Sequence, residues 1–435
     1  MRRGSTSLPP EIADRFSEPF ARFLKIEAAA GVMLLLATLA ALILSNSAWS
    51  ASFLAFWEIP IGLTFGGLDF TRSLRHWIND GLMTLFFFVV ALELKRELVL
   101  GELRKLRVAA LSFSGALGGM VFPASLYLAL MSGQAGLHGW GTVMATDTAF
   151  VIGCLALLGS RIPPSLRLFL LSLAIFDDVG AILIVAVGYG DSLNWAALAF
   201  VALGLVAVAV SARIGIRSVP IYFLFGGAIW LCFDASGIHP TITGVVLGLM
   251  TPTYRWVSEE RLRAILGRVL SRPSGNRKSG DTTDRRDLQQ AGTAVTEVLS
   301  PVERLEMMLH PWVGFAVMPI FAFANAGVTI SRVDIGQPVT AAIFAGLVLG
   351  KPMGILIFSW LGVRVGLATR APALSWPLLA AGGLLAGIGF TMSLFIAGLA
   401  YAPVMLDAAK IGILAASAVS ATAGCLALIW LTSKK

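Results

Sequence analysis

Four ionisable residues lie deep in apolar runs of this 435-residue chain: Asp147 in VMATDTAFVIG, the adjacent Asp177 and Asp178 in LSLAIFDDVGAILIVAVG, and Lys351 in VLGKPMGI. Carboxylates close together in a low-dielectric setting repel one another and are desolvated. Both effects favour the protonated form, so protons compete with metal cations for the same oxygens. Small hard cations prefer oxygen ligands. A cavity that holds either protons or a hard cation, and opens to each side of a membrane in turn, is an exchanger. On membrane-insertion scales each of the four groups costs about 2.5–3.5 kcal/mol at a helix centre, on the order of 10 kcal/mol together. A cost of that size points to function. The plainer alternative, one Asp–Lys pair with the rest as packing polar groups, accounts for one pair only.

Consecutive helix residues point about 100° apart, so Asp177 and Asp178 do not serve the same point equally. One faces a cavity shared with Asp147 from another helix. The other turns to a neighbouring helix, where Lys351 is the natural partner. Thr146, Asp147 and Thr148 are poor helix formers in mid-span, with Gly153 just after. Such a segment can unwind and free its carbonyls for a cation, and irregular backbone at that depth is tolerated only around a cavity. A second candidate break is AGIGFTMSLF, residues 386–395, which holds glycines, Thr391 and Ser393. The two breaks fall in the middle helices of two three-helix groups, 107–188 and 339–431. Matching interrupted helices in two halves point to a transporter's midplane site.

The elements that carry these residues follow from composition. The chain is 57% hydrophobic and 13% charged, with 45 glycines and a mean hydropathy of +0.82. Soluble domains carry about twice that charge. A spanning helix needs about 20 apolar residues. Runs of that order lie near 26–45, 78–100, 107–131, 141–159, 164–188, 195–212, 217–233, 238–252, 310–330, 339–362, 376–401 and 408–431. The predicted fold class is therefore all-α: a polytopic membrane protein of about twelve transmembrane helices. Residues 1–25 form a cytoplasmic N-terminal segment, 26–252 the first eight helices, 253–305 a cytoplasmic, partly disordered loop, and 306–435 the last four helices.

Setting aside Arg72, Arg75, Arg332, Lys410 and the intramembrane Lys351, the other 28 of the 33 basic residues fall on one side of this topology. That asymmetry places both termini in the cytoplasm. It also explains the net charge of +8 without a nucleic-acid partner. Ser271 to Asp287 has almost no apolar side chains and is expected to be disordered. The loop 46–77 holds three Trp and several Gly and suits a small extracytoplasmic cap or hairpin. Cys154, Cys232 and Cys425 lie in apolar runs and read as small buried hydrophobes. The polar first 25 residues lack the apolar core of a cleaved signal peptide.

ATDTAF at 145–150, AIFDDVGAI at 174–182, FAFANAGV at 321–328, GKPMGI at 350–355 and GIGFTMSLFIA at 387–397 together resemble the NhaA-type sodium/proton antiporters. LELKREL at 92–98, LLGSRIP at 157–163, SGIHPTITGVVLG at 236–248 and RLEMMLHPW at 304–312 extend the likeness over nearly the whole chain from about residue 20. This family is itself a standard instance of inverted repeats, so the repeat argument and the resemblance are one observation. The resemblance implies two broken helices crossing at the midplane, with Thr146 at the crossing. It implies that Asp147 and Asp178 bind the transported sodium or lithium ion and exchange protons, and that Asp177 pairs with Lys351. It implies an electrogenic, pH-regulated antiporter of the bacterial inner membrane, without cofactor, which extrudes sodium as protons enter. A homodimer through the loop at 46–77 is a further implication.

The family's pH-response positions correspond to Glu93, Glu97, His239, Glu306 and His310, in a cytoplasmic funnel. From the residues alone, Glu93 and Glu97 share a helix face beside Lys95 and Arg96, which also suits a solvated helix end. His239 before Pro240 also suits a helix cap. A second histidine common beside the family's RLE glutamate is Met307 here. Other classes fit less well. An intramembrane aspartyl protease also needs two aspartates on separate helices, but its glycine-flanked motif is absent and Lys351 has no role in it. An organic-solute transporter usually carries an aromatic or arginine clamp in its spans, and none is found. An ion channel needs neither matched breaks nor titratable carboxylates.

Overall fold

The protein is described here by a computed structural model covering residues 27–65, 68–101, 106–190, 193–215, 218–270 and 282–433. The N-terminal segment 1–25 and most of the segment expected to be disordered lie outside the described residues. The chain opens with α1 (Glu27–Ser45) and the short α2 (Ser50–Trp57). A two-stranded antiparallel hairpin follows, β1 (Pro60–Phe65) and β2 (Leu68–Ser73), in register from Pro60↔Ser73 to Phe65↔Leu68. Ser73 then caps α3 (Leu74–Val99), its hydroxyl accepting from the amide of His76 at 3.3 Å. This hairpin and helix form the compact feature predicted for the loop at 46–77.

The body of the chain is helical: α4 (Leu106–Leu130), α5 (Thr148–Leu158), α6 (Pro164–Gly188), α7 (Trp195–Ile214), α8 (Val219–Asp234) and α9 (Ile242–Met250). A paired segment, α10 (Glu259–Leu270) and α11 (Thr282–Glu297), follows before α12 (Pro301–Asn325) and α13 (Pro338–Arg364). The last elements are α14 (Trp376–Ala386), α15 (Phe390–Ala400) and α16 (Pro403–Ser433). Eight described helical stretches are long and apolar enough to cross a membrane, and the bent pair α14 and α15 makes nine. The three remaining predicted spans are shorter apolar helices, α1, α8 and the nine-residue α9. Within 271–287 the chain is helical from Thr282, where the sequence predicts no regular structure; α11 packs on α10, and its Ala291 and Ala294 are buried.

Surface side chains on these helices are apolar, as lipid contact requires. Leu224 on α8 is 75% exposed and Phe200 on α7 63%. Polar backbone groups are satisfied inside each helix, which is what a hydrocarbon surround demands. Close helix contact relies on small residues. A Cβ on Gly118 of α4 would meet the carbonyl oxygen of Gly354 of α13 at 2.1 Å, and one on Gly354 would meet that of Gly118 at the same distance. This contact holds α13 against α4 just beyond Lys351. A π-helical turn, Gly346–Gly350, directly precedes that lysine. Such turns insert a residue into the helix and re-aim the side chains on its C-terminal side.

Candidate functional site

The two expected breaks are present and face each other. The first span runs as a 3-10 segment, Leu137–Val143, leaves helical geometry near Thr146, and restarts as α5. Asp147 caps α5 with extended backbone angles of φ −84° and ψ 96°, and its Oδ1 accepts from the Phe150 amide at 3.0 Å. A carboxylate there satisfies a free helix amide and faces the positive end of the helix dipole. The second break is a 48° bend between α14 and α15. Its Gly387 is packed so closely that a Cβ would meet the Leu347 carbonyl oxygen at 2.6 Å and Ser420 Oγ at 2.7 Å.

Freed backbone groups of one break are used by the other. The Asp147 amide donates to the Ile388 carbonyl at 2.6 Å. Thr146 Oγ1 donates to the Ala386 carbonyl at 3.0 Å. Asp147 Oδ2 accepts from the Thr391 amide at 2.9 Å and from Thr391 Oγ1 at 2.5 Å. Ser393 Oγ donates to the Thr142 carbonyl at 2.6 Å.

Extended backbone turns alternate side chains to opposite sides. Asp147 therefore turns to Thr391, while Thr146 and Thr148 both turn to α6. Thr146 Oγ1 donates to Asp177 Oδ2 at 2.6 Å, and Thr148 Oγ1 to Asp178 Oδ2 at 3.0 Å. Lys351 Nζ lies 3.0 Å from Asp177 Oδ2 and also donates to the Met144 carbonyl. Asp147, Asp177, Asp178 and Lys351 are all buried. Asp177 Oδ1 and Asp178 Oδ1 are both buried with no hydrogen-bond donor among the described residues. Three carboxylates thus stand against one ammonium. Buried charge is costly unless it is matched. The surplus calls for protons or a cation.

The pH-response candidates do not form one group. At the far end of α3, Glu93 Oε1 lies 2.8 Å from His310 Nδ1. Arg96 holds Glu97 at 2.9 Å and Glu306 at 3.0 Å. Glu93, Glu97, Glu306 and His310 therefore meet where α3 packs on α12. His239 does not join them. Gly244 and Gly248 place α9 parallel to α3, the first against Thr84 and the second against Phe88 and Ala91. That parallel run leaves His239 at the hairpin end of α3, with Nε2 3.8 Å from Asp80 Oδ1 and Nδ1 2.8 Å from Thr241 Oγ1. Sequence reasoning missed Asp80, which is buried. Its signal was its place two residues inside the run 78–100. Lys410 is likewise buried, near the Gly327 carbonyl at 3.3 Å.

Crossed, interrupted helices around buried carboxylates in a multi-pass membrane protein define a secondary transporter of small cations. Comparison with known proteins narrows this. The family described as Na+/H+ antiporter 1 matches residues 21–428, and the chain belongs to it. It is 62% identical over 433 residues to the Na(+)/H(+) antiporter NhaA of Rhizobium meliloti (strain 1021), covering 100% of this chain and 99% of the relative. It is 53% identical over 430 residues to Na(+)/H(+) antiporter NhaA 2 of Vibrio vulnificus (strain CMCP6), covering 99% and 96%. It is 48% identical over 430 residues to the NhaA antiporter of Rhodopirellula baltica, covering 98% and 97%.

Proposed function

We propose that this Na+/H+ antiporter, a transporter and not an enzyme, exchanges its ions at the crossing of α5 with α14 and α15. Asp147 and Asp178 take up protons from one side and release them to the other as sodium or lithium binds. The observation that carries this reading is the surplus of buried carboxylate, three groups against Lys351, with one oxygen each of Asp177 and Asp178 lacking any protein donor among the described residues. Asp178 is the proton carrier because its carboxylate is held by Thr148 alone, whereas Asp177 is held by both Lys351 and Thr146. Asp147, fixed by Thr391 and Phe150, supplies ligand oxygen from the other side of the cavity. The neighbouring ammonium offsets one carboxylate permanently, so the remaining two set the number of protons exchanged.

The proposal extends to the setting. The protein lies in the bacterial inner membrane with both termini cytoplasmic, and two protons enter for each sodium extruded. The cluster of Glu93, Glu97, Glu306 and His310 responds to cytoplasmic pH. A homodimer forms through the segment 46–77. The deciding test is sodium-dependent proton release in everted vesicles. Asp178→Asn keeps the shape of the site and removes its exchangeable proton, so exchange is expected to vanish. Wild-type exchange by that variant would sink the assignment.

A further inference from the structure

At the hairpin end of α3, His76 and Asp80 lie one helical turn apart on the same face, across the π-helical turn Trp77–Leu82. His76 Nε2 is 3.0 Å from Asp80 Oδ2, yet this buried nitrogen makes no hydrogen bond. At that distance the two atoms form an ion pair when His76 is protonated and can share one cation when it is neutral. Asp234, the last residue of α8, brings a carboxylate oxygen to within 4.8 Å of both. On the opposite side of Asp80, His239 Nε2 is 3.8 Å from Oδ1. Its Nδ1 pairs with Thr241 Oγ1 at 2.8 Å, and when the imidazole is the donor in that pair its Nε2 is free to ligate.

The surroundings are stiff. Trp77 and Trp230 stack with centroids 5.9 Å apart and planes 18° from parallel. Trp230 Nε1 donates to Thr84 Oγ1 at 3.0 Å, and Thr84 Oγ1 donates to the Asp80 carbonyl at 2.5 Å. Asp234 also takes Arg72 Nη2 at 3.2 Å, an ion pair whose arginine side chain is 45% exposed. An exposed pair of that kind is worth little, so Arg72 can swing away at small cost.

We propose that His76, Asp80 and Asp234, whose ligand atoms lie within 4.8 Å of one another, form a site for a zinc-class divalent transition metal, separate from the sodium site, with His239 drawn in from outside that group as fourth ligand. Two imidazoles and two carboxylates are a donor set that zinc accepts. Calcium and magnesium require six or more oxygens, or retained water with carboxylates, and gain nothing from imidazole. Bond lengths of about 2.0–2.2 Å put tetrahedral ligand atoms roughly 3.3–3.5 Å apart. The contacts of His76 and His239 with Asp80 bracket that spacing. A metal there ties the end of α8 and the link to α9 onto the start of α3, the helix whose other end carries Glu93 and Glu97.

The test uses the purified full-length protein in detergent, Zn2+ as the only added metal, and a pH at which histidine is neutral. Equilibrium dialysis and thermal unfolding are read together, since a ligand bound only by the folded state raises the midpoint. One Zn2+ per chain and a raised midpoint are expected. Both are expected to be lost, with affinity falling at least about a hundredfold, in His76→Ala and in the near-isosteric Asp234→Asn. His138→Ala and His310→Ala are expected to keep them. No Zn2+ uptake by the wild type overturns the site, as does uptake that survives Asp234→Asn or disappears in His310→Ala. The midpoint without metal shows whether each variant is folded, and Asp234→Asn decides the matter if His76→Ala is not.

Discussion

Each carboxylate at the crossing has its own set of donors, and those sets give three chemically identical side chains different surroundings. Thr391 gives Asp147 two hydrogen bonds, one from its amide and one at 2.5 Å from its hydroxyl. The hydroxyl bond goes to a charged acceptor and is worth about 1.5–3 kcal/mol. Thr391→Val keeps shape and amide while deleting that donor. Apparent sodium affinity in the exchange assay is expected to fall about tenfold or more, and unchanged affinity would show that Asp147 does not depend on this contact. Asp177 makes a different case. Removing one member of a buried pair leaves the other uncompensated, at a cost on the order of 3–5 kcal/mol. Lys351→Ala should lower the thermal midpoint in detergent markedly. Adding Asp177→Asn should restore part of the loss, because the stranded charge is gone. If the double variant is no more stable than the single one, the 3.0 Å contact is not what Lys351 contributes.

Residue identity was the most legible part of the sequence. A carboxylate or an ammonium inside an apolar run needs a partner, and Asp147, Asp177, Asp178 and Lys351 stood out on that ground alone. Which aspartate faces which partner was not legible, since a 100° step fixes that the two differ but not the direction of either. Only the resemblance assigned the order. Asp80 escaped because it sits near the start of its run, where a charge can reach the interface cheaply; its burial depends on the hairpin and on α8, which no local pattern reveals.

Among the elements, the two breaks could be read from Thr-Asp-Thr and from clustered glycine, because both disfavour regular helix locally. The parallel pairing of α9 with α3 could not. It rests on Gly244 and Gly248 meeting backbone of α3, a contact between residues some 160 positions apart in sequence. That is why His239 seemed to belong with Glu93 and lies at the other end of the helix. The π-helical turn before Lys351 was equally invisible, being a tertiary adjustment of an ordinary apolar segment. The contact of α4 with α13 supplies the prediction at this scale. Gly354→Ala places a methyl carbon 2.1 Å from the Gly118 carbonyl oxygen, and both partners are backbone, so the helices must separate. Overpacking of this kind costs about 1–3 kcal/mol. A lower thermal midpoint with weakened exchange is expected, since Lys351 rides on the displaced helix. Full stability in Gly354→Ala would mean that the two helices have room to part without disturbing the site.

For the whole molecule, the decisive quantity is the charge carried per cycle. In the exchange proposed above, Lys351 offsets one carboxylate in every state, leaving Asp147 and Asp178 to alternate between two protons and one monovalent cation. A cycle then moves two positive charges inward and one outward, a net of one positive charge into the cytoplasm. An interior-negative potential therefore drives sodium out. One elementary charge across 100 mV is worth about 2.3 kcal/mol, which corresponds to roughly a fiftyfold change in an equilibrium ratio. In proteoliposomes with a potassium gradient and valinomycin, 100 mV imposed on that scale should shift the sodium gradient at which net exchange stops by about fiftyfold. If the null point depends on the proton gradient alone, one proton is exchanged per sodium. Either Asp147 or Asp178 then keeps its charge state throughout the cycle. The same measurement on Lys351→Ala separates the cases further. Without the fixed ammonium, Asp177 is free to carry a proton of its own, so a changed null point on that substitution would show that Lys351 keeps Asp177 out of the exchanging group, and an unchanged one that the ammonium is not what keeps it out.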